Sequence, residues 1–152
     1  LSVETKINFA MNNMFGLREN KENVVVIFPD EGAMKRYSQY IKVPYTFGIK
    51  ERDWKTGEII KYNLLNAEIV KDKKVLIIDD ICSHGNTIYK AGKLAKEAGA
   101  EAVYAYATHI ENTLFETSLY QSDLITFFYT TQSICDFDRD ELVKVINTDL
   151  YN

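Results

Sequence analysis

The stretch KKVLIIDDICSHGNT, residues 73–87, joins three features that together define a fold class. It begins with a run of β-branched and other large apolar residues, which is typical of a buried strand. Two adjacent carboxylates, Asp79 and Asp80, follow this run, and a short polar turn that contains Gly85 comes next. From residue 86 to residue 99 the apolar positions have helical spacing. The stretch therefore predicts a strand, a turn and a helix, with two negative charges where the strand ends.

The same alternation of strands and helices extends along the rest of the chain. Apolar runs predict further strands at residues 23–30, 44–52, 100–109 and 124–133. Helices are predicted at residues 4–15, 31–41 and 113–122. Two segments are less regular: residues 53–63 read as a loop or hairpin, and residues 140–152 as a short helix or strand. This alternation predicts one α/β domain, residues 1–152, with a mostly parallel twisted sheet of about five strands flanked by helices.

Composition narrows the class of protein and of partner. Hydrophobic residues make up 46% of the 152 residues and charged residues 26%, as in a soluble globular domain. The net charge is −4 and no long basic run is present, so a nucleic-acid partner is not expected. No apolar run approaches the ~18 residues of a membrane span, and no signal-peptide pattern is present. Cys82 and Cys135 lack the spacing of a zinc site and are read as reduced thiols in a cytoplasmic protein.

Polar residues cluster where each predicted strand ends. The clusters are Asp30, residues 50–52, residues 79–80, residues 108–109 and residues 130–133. Ligands of parallel sheets bind at the carboxyl ends of the strands, so this edge is expected to carry the functional residues.

The turn after Asp80 has the chemistry of a phosphate site. Backbone N–H groups at the start of a helix attract negative charge, Ser83 and Thr87 add hydroxyl donors, and Gly85 permits close approach. Neither GxxxxGK[ST] nor GxGxxG occurs in the chain. The two carboxylates suit the vicinal hydroxyls of a ribose, so a sugar phosphate is the expected ligand. The alternative is a helix cap beside solvated surface acids.

The segment VLIIDDICSHGNT resembles the phosphoribosyl-pyrophosphate (PRPP) binding motif of type I phosphoribosyltransferases and PRPP synthetases. The acidic pair, Gly85 and Thr87 match that motif, whereas His84 and Asn86 replace its usual Thr and Gly. The resemblance implies a type I phosphoribosyltransferase-like fold in which Asp79 and Asp80 hold the ribose hydroxyls. It also implies that the 5-phosphate is held, mostly by backbone N–H groups, at Ser83, His84, Gly85, Asn86 and Thr87.

Other segments resemble the synthetases in particular. VVVIFPDEGAMKRY, residues 24–37, is similar to a synthetase segment, and GIKERDWKTGEI, residues 48–59, is similar to the synthetase flexible loop with its Lys-x-Arg pair. AGAEAVYAYATH and TTQSI continue the likeness, which spans roughly residues 21–135 in collinear order. It corresponds to the C-terminal half of a ribose-phosphate pyrophosphokinase. With that half alone, and with Leu1 first, we expect a piece of a longer synthetase that keeps the ribose 5-phosphate site and lacks part of the ATP site and full activity.

The resemblance implies a reaction, a cofactor and partners. Ribose 5-phosphate and ATP give PRPP and AMP with Mg²⁺, which Asp30 is expected to contact directly or through water. Lys50 and Arg52 are expected to neutralise the transferred diphosphoryl group. The alternatives are a helix N-cap for Asp30 and solvated loop charges for Lys50 and Arg52. The implied assembly is a homodimer or higher oligomer, without a nucleic-acid or membrane partner.

Two other functions remain open at this point. A type I phosphoribosyltransferase would share the acidic-pair turn and consume PRPP, but it normally adds a base-recognising segment for which 152 residues leave little room. A non-catalytic domain similar to synthetase-associated proteins would bind phosphoribosyl ligands or a partner subunit.

Overall fold

The computed structural model describes residues 23–82, 86–110, 124–125, 128–130, 132–133 and 143–145. Its strands are β1 Val24–Phe28, β2 Tyr45–Arg52, β3 Ile59–Leu64, β4 Lys74–Cys82, β5 Ala102–Ile110, β6 Phe128–Thr130, β7 Gln132–Ser133 and β8 Val143–Val145. Its α-helices are α1 Glu31–Tyr37 and α2 Asn86–Glu97. Single 3₁₀ turns are present at Ser38–Tyr40 and Ala67–Val70.

The strands form one sheet in the order β3-β2-β1-β4-β5-β6-β8, with β7 beside β5. Every pairing is parallel except that of β2 with β3, which is antiparallel. The predicted α/β class with a mostly parallel sheet is therefore confirmed. The described part of the chain has eight strands rather than about five. Two of the three additional strands are β3 and β8. The third arises because the fifth predicted strand is divided into β6 and β7.

The central strand β1 is shorter than both of its neighbours. It pairs with β2 only as far as Phe28 opposite Phe47, and with β4 only as far as Ile27 opposite Ile77. Both neighbours continue past that point, β2 to Arg52 and β4 to Cys82. The strand order also changes direction at β1, because β2 lies on one side of it and β4 on the other. The end of β1 is therefore an open notch at a switch point, where parallel α/β sheets bind ligands.

The core lies on both faces of the sheet. All five residues of β1 are buried, as expected of a central parallel strand covered on both sides. One face packs Ile27, Val75 and Ile77 against Ile88 and Ala91 of α2. The opposite face packs Phe28, Leu76 and Ile78 against Ala33 of α1 and the side chains around it. This packing fixes the position of the β1 end, on which the candidate site is built.

Residues 53–63, read from the sequence as a loop or hairpin, complete a β2–β3 hairpin. The Asp53 amide donates to the Glu58 carbonyl at 2.8 Å, and the Gly57 amide donates to the Asp53 carbonyl at 2.7 Å. The Asp53 carboxylate accepts the Lys55 amide, and Gly57 has a φ of +75°, which favours glycine. The ladder has an irregularity between Glu51 and Arg52. The hairpin projects beyond β1 and carries Lys50 and Arg52.

Strand β4 does not end at the acidic pair. It continues through Ile81 and Cys82, which pair with His109 and Ile110 of β5. The predicted end at the aspartates was therefore wrong by two residues, because pairing with β5 persists after β1 has ended. The helices predicted at residues 4–15 and 113–122 lie outside the described residues. In the described ranges, neither α-helix has the length and apolar character needed to cross a membrane.

Candidate functional site

Asp30 lies at the end of β1, in the notch. Its backbone is extended, and its Oδ1 accepts the Ala33 amide at 2.8 Å, so that it caps the N-terminus of α1. Its other carboxylate oxygen, Oδ2, lies 3.5 Å from the Nζ of Lys50. The helix-cap role considered for Asp30 is therefore present. It occupies one oxygen and leaves the second in contact with a cation of the hairpin.

Lys50 extends from the projecting part of β2 back toward β1. The Lys50 side chain is 22% exposed, and its ammonium group contacts the carboxylate of Asp30. The Asp30 side chain is 40% exposed. Arg52 lies farther along the hairpin, where its Nη1 donates to the Gly57 carbonyl at 3.0 Å. The structure thus brings Lys50 to Asp30, whereas Arg52 closes the turn of its own hairpin. Both predicted cations nevertheless line one cavity.

This cavity, here called the β1 cleft, has a volume of about 300 Å³. It is lined by Asp30, Glu31, Gly32, Phe47, Gly48, Ile49, Lys50 and Arg52. Two acidic and two basic residues thus line the same space as the apolar residues of β2. Such a site can bind a phosphate group through its cations, and a cation through its carboxylates.

Asp30 is held in its ionised form. Burial opposes ionisation, but the Ala33 amide and the positive charges of Lys50 and Arg36 outweigh it, so the pKa of Asp30 lies below its ordinary value of 3.8. Because the pKa of Asp30 is lower in the folded state, its ionised carboxylate stabilises the fold at pH values above the ordinary pKa of 3.8. That stabilisation is lost as the pH falls through the folded-state pKa.

Replacing Lys50 by methionine is expected to raise the pKa of Asp30, because the attraction of the cation is removed while the burial stays. A carboxyl NMR titration of Asp30 measures this directly. Lys61→Met is the matched control, since Lys61 is on the same hairpin and opposite Glu51. The acid-induced loss of stability should begin at higher pH in the Lys50 variant only. An Asp30 titration that is identical in all three proteins would contradict the assigned pairing.

Gly48 and Tyr62 make a close backbone crossing next to the cleft. The Tyr62 hydroxyl donates to the Pro29 carbonyl at 2.6 Å. A Cβ added at Gly48 would lie 2.1 Å from the Tyr62 oxygen and 2.4 Å from the Pro29 carbonyl oxygen. Only glycine therefore lets the phenol pass over β2 to reach the end of β1. Sequence reasoning did not identify either residue, because their proximity depends on the register of a hairpin.

We expect Gly48→Ala to lower the free energy of unfolding by about 1–3 kcal/mol, since three contacts shorter than van der Waals distance must be relieved. Urea denaturation measures the loss. Gly32→Ala is the matched control, because its Cβ would meet only the side chains of Asp30 and Arg36, at 3.3 and 3.4 Å. Equal stability of the two variants would show that the Tyr62 crossing is not tight.

The acidic pair and the turn are described in part. Asp79 is half-buried in β4 opposite Ala107, and its charge acts on Tyr62. Asp80 and Asn86 are placed by their backbones, in β4 and at the first position of α2. Thr87 is half-buried in the first turn of α2. Ser83, His84 and Gly85 lie outside the described residues, so their predicted contact with a phosphate stays a prediction.

Asp30 offers a single carboxylate to a magnesium ion, and this agrees with the way proteins usually bind Mg²⁺. Mg²⁺ is usually held by one or two carboxylates together with waters and substrate phosphates, rather than by a cage of protein ligands. Within the residues that the structure describes, no three His, Cys, Asp or Glu side chains group around a common point. A site with the single carboxylate of Asp30, completed by substrate oxygens, agrees with that arrangement.

The fold is that of a phosphoribosyltransferase-type protein. The family model described as "Phosphoribosyl transferase domain" matches residues 2–116, and the chain belongs to this family. Among curated proteins the chain is similar to the ribose-phosphate pyrophosphokinase of Saccharolobus solfataricus. The two are 40% identical over 97 residues, covering 62% of this chain and 33% of that protein. The chain is also similar to the ribose-phosphate pyrophosphokinase of Porphyromonas gingivalis. The two are 42% identical over 91 residues, covering 58% of this chain and 28% of that protein. The chain thus spans about a third of the length of these curated relatives.

Solved structures show the same fold. The phosphoribosylpyrophosphate synthetase of Mycobacterium smegmatis matches with a TM-score of 0.69 and 22% identity, over 94% of this chain and 45% of that one. A purine phosphoribosyltransferase from Pyrococcus horikoshii matches with a TM-score of 0.52 and 18% identity, over 84% and 83%. The type I phosphoribosyltransferase-like fold implied by the sequence is therefore confirmed.

Proposed function

We propose that this chain carries the ribose 5-phosphate and PRPP site of a ribose-phosphate diphosphokinase. The observation that carries the proposal is the position of Lys50. Strand β2 holds it beyond the end of β1, where it meets Asp30 in a cleft at the switch point of the sheet. The curated relatives named ribose-phosphate pyrophosphokinase support this reaction over a transfer to a nucleobase. We also propose a cytoplasmic location and a homodimer or higher oligomer.

In the proposed reaction, the 1-hydroxyl of ribose 5-phosphate attacks the β-phosphorus of ATP. An oxygen–phosphorus bond forms to the sugar and the hydroxyl proton is released to solvent. The bond between the β-phosphorus and the α,β-bridging oxygen breaks, and AMP leaves with that oxygen. Such transfers depend on positioning and charge neutralisation more than on covalent chemistry by the protein. Magnesium, when bound, would neutralise phosphate charge, and Asp30 is the residue that would hold it.

The chain's own residues divide this work. Asp79 and Asp80 accept hydrogen bonds from the ribose hydroxyls, and the turn at residues 83–87 binds the 5-phosphate. Lys50 offers positive charge to the diphosphoryl group. Since Lys50 is paired with Asp30 in the structure, its charge is already held at the cleft. Arg52 adds a second cation to the cleft while it closes the hairpin turn.

The proposal is tested by product analysis on the purified chain. The chain should bind ribose 5-phosphate, and incubation with ribose 5-phosphate, ATP and Mg²⁺ should release AMP at a low rate that depends on the sugar phosphate, because part of the ATP site is expected to be missing. A parallel reaction with PRPP and nucleobases should release no pyrophosphate. Pyrophosphate release in that reaction would favour the transferase, and absence of ribose 5-phosphate binding would overturn the proposal.

A further inference from the structure

The β2–β3 hairpin contacts the end of β1 at two adjacent points. Lys50 and Tyr62 are directly opposite each other in the antiparallel ladder, so their side chains lie on the same face of the hairpin. Lys50 reaches the side chain of Asp30, and the hydroxyl of Tyr62 reaches the backbone carbonyl of Pro29. Two neighbouring residues of the hairpin therefore bind two consecutive residues at the base of the cleft.

The Tyr62 contact is the shorter of the two. Its hydrogen bond measures 2.6 Å and involves a backbone acceptor, whereas the Lys50–Asp30 pair is at 3.5 Å and partly exposed. The phenol is partly buried and packs against the core on the α2 face of the sheet. The missing side chain at Gly48 provides the path along which it crosses β2. A phenol held in this way has little freedom to leave Pro29.

The phenol is also fixed as a donor. Burial, together with the nearby negative charges of Asp30 and Asp79, raises the pKa of Tyr62 above its ordinary value of 10. A tyrosine is already protonated at neutral pH, and the raised pKa keeps the O–H as a donor to Pro29 at higher pH as well. Tyr62 therefore lies near the carboxylates of Asp30 and Asp79 and acts as a hydrogen-bond donor rather than as a base.

We propose that Tyr62 is a positioning residue that fixes the hairpin to the end of β1 and thereby holds Lys50 over the cleft before ligand binds. This inference deepens the proposed function and rests on it for the identity of the ligand. The expected consequence is selective, because only a ligand that carries a diphosphate at the sugar C1 uses Lys50. A pre-placed cation increases affinity by reducing the ordering that binding requires.

The test compares Tyr62→Phe with Tyr45→Phe, a control on the exposed end of β2 whose ring meets Phe28. Calorimetry should show that Tyr62→Phe weakens PRPP binding about fivefold to tenfold, as expected for one lost hydrogen bond, while ribose 5-phosphate binding is unchanged. Hydrogen exchange at the Ile49 and Asn63 amides, which face each other across the hairpin, should accelerate by a similar factor, while exchange in β4 stays the same. Tyr45→Phe should change none of these quantities.

Unchanged PRPP affinity and unchanged hairpin exchange in Tyr62→Phe would overturn the positioning role, even if wild-type protein binds both ligands. An equal loss of affinity for PRPP and ribose 5-phosphate would also overturn it, since that pattern indicates a general structural defect. If wild-type protein binds neither ligand, the proposed function fails. The exchange measurement then still decides whether Tyr62 fixes the hairpin to β1.

Discussion

Replacing both Asp79 and Asp80 by asparagine is expected to weaken ribose 5-phosphate binding by at least about 100-fold. Hydrogen bonds to charged groups contribute about 1.5–3 kcal/mol each, and the double change removes both charges and replaces one accepting oxygen of each carboxylate by an N–H₂ donor. Since about 1.4 kcal/mol corresponds to a factor of ten, the two losses together exceed two orders of magnitude. Asparagine preserves the shape of the side chain, so the sheet should remain folded. Calorimetric titration of ribose 5-phosphate measures the effect.

A matched control keeps the change in net charge the same. The double variant Asp72→Asn/Glu101→Gln also removes two negative charges. Both residues are exposed and lie just before β4 and β5, at the end of these strands opposite to the proposed site. This control should bind ribose 5-phosphate like the wild type. Circular dichroism and urea midpoints should show that both double variants are folded. If the Asp79/Asp80 variant binds ribose 5-phosphate with wild-type affinity, the acidic pair is not part of the binding site.

Replacing Lys50 by methionine is expected to weaken PRPP binding by about 10- to 100-fold, because one charge-assisted contact to the diphosphate is lost. Ribose 5-phosphate has no diphosphate, so its affinity should be unchanged. Competition titrations with the two ligands measure both effects on one protein. The methylene stem is retained in methionine, which keeps the packing of this largely buried side chain.

Lys61→Met is again the control, since it removes an exposed cation from the neighbouring strand of the same hairpin. It should leave both affinities unaltered. A Lys50 variant that loses both ligands equally, or neither, would contradict the assignment of this lysine to the diphosphate.

The sheet was predictable where burial determines the sequence. VVVIF in β1 has five buried residues, so it reads as a continuous apolar run, and the helical spacing of α2 matches its buried face. Strand β3 was harder to assign, because it is an edge strand with a mostly exposed, irregular pattern. Its pairing with β2 depends on the hairpin, and only the structure supplies that register.

The candidate site was predictable in composition and less so in geometry. Asp30, Lys50 and Arg52 were expected on one edge, and all three line the β1 cleft. The notch itself could not be predicted, because it depends on β1 stopping before its neighbours. Tyr62 lies in a segment that the sequence predicts as a loop or hairpin, and it reaches the end of β1 only by crossing Gly48.

The most direct test of the proposed sugar-phosphate site is a comparison of two ligands that differ by a single hydroxyl. Ribose 5-phosphate offers a vicinal diol to the acidic pair, whereas 2-deoxyribose 5-phosphate lacks one of the two donors. We predict that calorimetry on the wild-type chain will show binding of ribose 5-phosphate and at least about tenfold weaker binding of the deoxy sugar. Equal affinities for the two sugars, or no binding of ribose 5-phosphate, would contradict the proposal.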